Sequence, residues 1–282
     1  MTDKYVTNLL LGGVGNQLFE IAAGYALAKD LGFKYALCET NYIPIGGQGN
    51  TLPVYRDTLY SKIAFIPSIE NFLRYKAKSP TYYALMSDLS NAQTSISLKG
   101  HFQSERNFMK YKDEIRELFT PAGGFTNWLF ESGFEYPELF DDHNFVFIGV
   151  RRGDYLKAPR VHNPCGMKYY EKAIKMVPAA RYYVASDDIE WCKRNFIGPQ
   201  FVFFDITMKN DLQQLAAMTL FKKYIISNSS FYWWGSYLSI HAAPTVIAPD
   251  KWISPLHDRD VWKRDYIYRD DMIVLERPVE TA

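Results

Sequence analysis

Two adjacent arginines follow a short apolar run in Phe145 to Leu156, FVFIGVRRGDYL. Phe145 to Val150 is rich in β-branched and aromatic residues and reads as a buried strand. Arg151-Arg152-Gly153-Asp154 is then the loop leaving its carboxyl end, the edge at which open α/β sheets bind ligands. Guanidinium is a permanently charged planar fork suited to phosphate or carboxylate, so Arg151 and Arg152 form a candidate anion clamp. The bland alternative is a solvated turn in which Asp154 pairs with Arg152.

Two further stretches offer anion-binding chemistry at strand-to-helix junctions. Ser227-Asn228-Ser229-Ser230-Phe231-Tyr232-Trp233-Trp234-Gly235 supplies hydroxyls and free helix amides, a second phosphate cradle unless Ser229 or Ser230 is an ordinary N-cap. The two tryptophans read as packing residues. Ser186-Asp187-Asp188 is a polar tip after another strand, where Asp187 suits a ribose or base as well as a helix cap.

Near the N-terminus, Gly12-Gly13-Val14-Gly15-Asn16-Gln17 opens a helix in which Leu18, Ile21, Ala22, Tyr25 and Ala26 keep helical spacing. Glu39 follows at the distance where a dinucleotide-binding domain keeps its ribose acid, but Leu18 occupies the place of the third fingerprint glycine. The glycines instead suit close approach of backbone to a ligand at a helix N-terminus, with Asn16 offering both donor and acceptor. The plain alternative is a tight turn.

Metal chemistry is poorly supplied. His162-Asn163-Pro164-Cys165 gives two ligands, and five histidines with three cysteines make no four-ligand pattern. Asp187-Asp188 and Asp270-Asp271 are adjacent pairs rather than the Asp-x-Asp spacing that holds a divalent ion on a diphosphate. Each charge-assisted contact is worth about 1.5–3 kcal/mol, so two arginines and a helix end can hold a diphosphate unaided.

These loops need strands and helices to carry them. Tyr5 to Leu11 and Lys34 to Cys38 flank the glycine-led helix, which Gly32 stops, as a βαβ unit. Tyr42 to Asn91 is irregular, with Pro44, Gly46, Gly47, Gly49 and Pro53 marking a long loop suited to recognition. Ser95 to Leu98 reads as a strand, and Ser104 as the cap of a helix running to Pro121. Glu135 to Asn144 breaks periodicity and is the candidate linker, with a boundary near Asp141 that gives domains 1–140 and 141–282. Beyond it, strands at 145–150, 181–185, 201–204, 223–227 and 245–248 alternate with helices at 168–176, 187–195, 211–221 and 230–239, the signature of a parallel sheet covered on both faces.

Bulk properties narrow the class. The 282 residues suffice for two modest domains, and a formal charge of +1 leaves no electrostatic footprint for nucleic acid or an anionic membrane. Cys38, Cys165 and Cys192 are too few and too scattered for a disulfide framework. With no secretory signal and no apolar run near ~18 residues, a soluble cytoplasmic protein with at most peripheral membrane association is expected.

Together, LLGGVGNQLFEIAAGYALA, GHFQSERNF, VRRGDY, SDDIEWC, ISNSSFYWWGSYL and VIAPDKW resemble, in order and spacing, the bacterial-type alpha-1,2-fucosyltransferases over nearly the whole chain. The resemblance implies an α/β architecture of two Rossmann-like domains facing a cleft (GT-B type), an acceptor-side N-terminal domain and a donor-binding C-terminal one. It further implies GDP-L-fucose as donor, inversion at the anomeric carbon, a galactoside 2-hydroxyl as acceptor, and no cofactor or metal. Carried over from the family motif His-x-Arg-Arg-x-Asp, Arg151 is the principal diphosphate arginine, supported by Arg152 and Asp154. The family's histidine is Gly149 here, which puts the orientation of the donor, and its sugar, in question. Gly13, Gly15 and Asn16 would lie beside sugar and phosphate, and Asn228, Ser229, Ser230 and Phe231 around the nucleotide; Ser186 and Asp187 join them as donor-site candidates.

Three groups qualify as the base that accepts the attacking hydroxyl's proton: Asp154, Glu105 and His101. Rival readings are transfer of another nucleotide sugar, a nicotinamide oxidoreductase on the Gly13-Gly15 turn, and a non-catalytic carbohydrate- or nucleotide-binding module.

Overall fold

The computed structural model describes residues 3–39, 42–43, 55–68, 71–77, 82–141, 144–204, 211–253 and 266–277. The turn residues Pro44, Gly46, Gly47, Gly49 and Pro53 lie outside the described residues. The chain divides into two compact units, one running to Pro121 and joined by Tyr266 and Ile267, the other beginning at Ala122.

In the first unit, β1 (Tyr5–Asn8), β2 (Leu10–Leu11), α1 (Val14–Leu31), β3 (Lys34–Cys38), β4 (Tyr42–Ile43), β5 (Ala64–Ile66), β6 (Phe72–Lys76) and β7 (Ser95–Lys99) build a parallel sheet in the order β5-β3-β1-β7-β6, with β2 and β4 pairing separately. Gly32 ends α1 in the left-handed conformation at φ 66°, its N–H bonding back to Ala28 and Lys29. Val6, Ala23, Leu27, Leu85, Ile96, Leu98 and Phe102 form the core between sheet and helix. The expected irregular stretch from Tyr42 to Asn91 thus contains edge strands β5 and β6 and a helix, Tyr82–Leu89. The single helix expected from Ser104 to Pro121 is interrupted. Ser104 does cap, but only a 3₁₀ turn at Glu105–Asn107; a second at Met109–Tyr111 precedes the true helix Lys112–Phe119. Asn107 spends its amide on the Phe102 carbonyl at 2.9 Å, and Phe108 is buried against Phe19, which fixes the break.

The second unit holds β8 (Phe145–Val150), β9 (Arg181–Ser186), β10 (Phe201–Phe203), β11 (Lys223–Ile226), β12 (Thr245–Pro249) and β13 (Met272–Leu275), all parallel, in the order β10-β9-β8-β11-β12-β13. Read along the chain this is the doubly wound order 3-2-1-4-5-6. Val146, Ile148, Val150, Tyr169, Tyr170, Val184, Ile225 and Ile247 fill one face.

The unit boundary falls at Pro121, earlier than the Asp141 expected from sequence. The segment read as a linker packs into the second unit: Tyr136 lies tilted at 4.6 Å from Phe204, Phe140 sits edge-on to Phe134 at 6.0 Å, and the Tyr183 hydroxyl donates to Glu138 at 2.8 Å. Among the described residues no helix is long and apolar enough to cross a membrane.

Candidate active site

In a sheet of this order the strands change direction of succession between β8 and β11, and the crevice outside their carboxyl ends is where ligands bind. The loop after β8 brings Arg151 and Arg152 to this point, and the loop after β11 brings Ser227, Asn228 and Ser229. The Tyr155 hydroxyl ties the two loops by donating to the Asn228 carbonyl at 2.9 Å.

Arg151 is gripped on two sides. Its Nη2 meets Asp154 at 2.9 Å and its Nε meets Asp187 at 3.1 Å, while its side chain stays 24% exposed. Burial works against its charge, but Asp187 and Asp154 more than offset that and raise its pKa above the ordinary arginine value. The Arg152 guanidinium carbon lies 4.0 Å over the Trp191 ring, with Nε 3.4 Å from Asp188. The bland pairing of Asp154 with Arg152 is therefore not what forms; Asp154 serves Arg151. Nη1 of Arg151 and both Nη atoms of Arg152 have no partner among the described residues, leaving guanidinium edges for an anion.

Three nucleotide-site candidates, Asp187, Ser186 and Asn228, have their side chains spent inside the protein. Asp187 neither caps its helix nor stands open to a ribose: one oxygen holds Arg151 and the other accepts the Arg152 N–H at 2.8 Å. Asp188 is the cap, accepting from Trp191 N–H, and Ser186 accepts from the Asp188 N–H. Asn228 is buried, donating to the carbonyls of His162 and Trp252, so it positions the loop. His162 itself stacks on Tyr155 at 4.1 Å, and the nearby Cys165 thiol lies 3.8 Å from Asn228. Ser229 precedes the helix Ser230–Tyr237 without its hydroxyl making a cap bond; Ser230 and Phe231 follow, partly exposed. Trp233 and Trp234 are fully buried, as packing residues should be. Ser227 Oγ is buried with no partner among the described residues.

Gly149 explains a residue that sequence reasoning passed over. A Cβ there would stand 2.6 Å from the Tyr232 ring, whose hydroxyl lies 3.3 Å from the Val150 and Ala185 carbonyls. Tyr232 occupies the volume that a side chain at 149 would need.

The first unit has its own switch point, between β1 and β7. Gly12, at φ 71°, and Gly13 make the turn into α1, and a Cβ on Gly13 would meet nothing within 4 Å, so the backbone there is open to a ligand. Gly15 is buried in the first turn of α1, and Asn16 accepts from Gln103 at 2.8 Å. Glu39 pairs with Arg56 at 2.7 Å, which occupies the would-be ribose acid. The loop after β7 carries His101, whose Nδ1 lies 3.0 Å from Glu20, a carboxylate with no exposed side-chain surface. Leu11 N–H donates to the other Glu20 oxygen at 2.9 Å, and burial pushes the carboxyl up to about 7. Sequence reasoning missed Glu20, although an acid flanked by Phe19 and Ile21 on a buried helix is itself a signal. Glu105 is paired with Lys112 at 3.6 Å.

Residues 3–270 match the family described as Glycosyl transferase family 11. The chain belongs to glycosyl transferase family 11. It is 30% identical over 274 residues to an Escherichia coli alpha-1,2-colitosyltransferase, covering 86% of this chain and 90% of the relative. It is also 23% identical to the Escherichia coli O-antigen biosynthesis glycosyltransferase WbnK, over 87% of this chain and 94% of the relative. The fold of this family 11 chain is similar to NodZ alpha-1,6-fucosyltransferase soaked with GDP-fucose, at TM-score 0.54 and 12% identity over 88% of this chain and 96% of that one. A NodZ crystal with GDP gives 0.52 at 13% identity, over 83% and 92%. The family 11 chain is thus a glycosyltransferase with the two Rossmann-like domains of a GT-B fold.

Proposed function

We propose that this glycosyltransferase moves L-fucose from GDP-L-fucose to the 2-hydroxyl of a galactoside in a glycan, with inversion at the anomeric carbon. Arg151 carries the reading. Cleavage of the sugar–phosphate bond leaves an oxocarbenium-like sugar and a diphosphate that gains negative charge, so a cation fixed before that charge develops lowers the barrier most. Asp187 and Asp154 fix Arg151 in this way at a Rossmann switch point. Arg152, the Ser229 hydroxyl and the N-terminus of the following helix complete the donor side on the second unit, and the first unit receives the acceptor. With guanidinium groups and amides in these roles, no metal is needed.

The solved fucosyltransferase NodZ with GDP or GDP-fucose supports a guanosine diphosphate donor, and the alpha-1,2-colitosyltransferase supports the linkage. The same relative, together with Gly149 in place of the family histidine, favours a second reading in which colitose is the sugar transferred. Three buried free cysteines suit work in the reducing cytoplasm.

The test offers purified protein a panel of GDP-L-fucose, GDP-colitose and UDP-galactose with a terminal galactoside, in chelator, and reads product linkage. Alpha-1,2-fucosylated product supports the first reading; preference for GDP-colitose selects the second. Transfer from the uridine nucleotide alone, or none without added metal, refutes the proposal.

A further inference from the structure

The attacking hydroxyl must lose a proton, and three groups qualified by sequence. Asp154 is committed to Arg151, and Glu105 to Lys112. His101 remains.

Its setting is unusual for a surface histidine. It sits at the carboxyl end of β7, at the switch point of the first sheet, between Gly100 at φ 155° and Phe102 at φ 46°. A left-handed conformation at a buried phenylalanine costs energy, and such strain persists only where surrounding bonds enforce it. Here the Phe102 carbonyl accepts from Ser104 N–H at 2.7 Å and from Asn107 at 2.9 Å, and a Cβ on Gly100 would meet Ala77 at 2.7 Å. The result is a ring with its Nδ1 on a wholly buried carboxylate and its side chain 40% exposed. Nε2 has no partner among the described residues. A carboxylate that holds one ring nitrogen while the other faces outward is the arrangement that makes histidine a base.

We propose that His101, oriented by Glu20, is the general base for the acceptor hydroxyl. This deepens the glycosyltransferase reading and rests on it. As the acceptor oxygen bonds to the anomeric carbon, its proton passes to His101 Nε2, and the sugar–phosphate bond breaks with its electron pair leaving on the diphosphate. The imidazolium is stabilised by the Glu20 carboxylate until water takes the proton. His101 is the catalytic residue; Glu20 is a positioning residue.

The titratable groups facing the Glu20 carboxylate are His101 and the Tyr35 phenol of β3; on the adjoining 3₁₀ turn, Glu105 is tied to Lys112 and Arg106 lies over Tyr266. Because burial holds the carboxyl near 7, the ionised form that supports an imidazolium is lost as pH falls through that value.

The experiment measures transfer, GDP binding and the pH–rate profile for wild type, His101→Ala, His101→Gln and Glu20→Gln. The proposal predicts about a 10²–10⁴-fold fall in kcat for both His101 variants, with GDP affinity and melting temperature kept. Glu20→Gln should lower kcat and remove the acid limb near pH 7 while leaving donor KM within about twofold. If wild type transfers sugar but either folded His101 variant keeps kcat within about threefold and the same acid limb, the proposal is overturned. Should wild type transfer no sugar from any donor, the underlying function fails instead, and GDP binding separates the two cases.

Discussion

Tyr232 stands where a side chain on Gly149 would have to go: a Cβ built there lies 2.6 Å from the ring. The two positions are far apart in sequence yet share one volume at the donor edge of the second sheet, between β8 and the helix after β11. A side chain at 149 requires the Tyr232 ring to give way.

Gly149→His should therefore destabilise the protein by roughly 2–3 kcal/mol or prevent folding, as overpacking of a full interior does. Adding Tyr232→Ala should recover most of that loss, read by thermal melts of the single and double variants. Equal melting temperatures for Gly149→His and wild type would show that Tyr232 moves aside freely.

Asp187→Asn removes the carboxylate on Arg151 Nε but keeps its shape. We expect GDP affinity to fall about tenfold, since a freed arginine must be ordered on binding, with a loss of about 1–3 kcal/mol in stability from a half-buried cation losing its partner. Titration calorimetry would show this; unchanged affinity would mean that the Asp187 contact does not prepare the arginine.

Glu20 should leave a mark on stability against pH. Its folded carboxyl is raised from 4.5 to about 7, so the native state binds the extra proton, and stability present below about 4.5 is lost as pH rises to about 7. The loss is on the order of 3 kcal/mol, at about 1.4 kcal/mol per pH unit. Glu20→Gln should lack this component. Parallel denaturation curves for the two proteins from pH 4.5 to 8 would contradict it.

Strands β8, β9 and β11 were readable because a strand buried on both faces appears as an unbroken apolar run, and their loops inherit its position. Edge strands β5 and β6 were not, since each shows solvent-facing residues such as Arg74 without clean alternation. Glu135 to Asn144 looked like a linker because its acids and proline hide Tyr136, which packs on Phe204, and Phe140, which packs on Phe134. In the site, residue type revealed Arg151 but not its partner Asp187, which a parallel crossover brings back beside it. The partners of Glu20 and Tyr232 are hidden for the same reason: their contacts with His101 and Gly149 arise only from the sheet order.

In the proposed reaction the Arg151 guanidinium meets the leaving diphosphate, and single-turnover transfer at saturating donor reads that contact. Arg151→Ala should fold, since replacing a partly exposed side chain leaves the sheet intact, and should lose at least about 10²–10³-fold in rate, with Arg151→Lys recovering only part. A near-normal rate for folded Arg151→Ala would contradict the account.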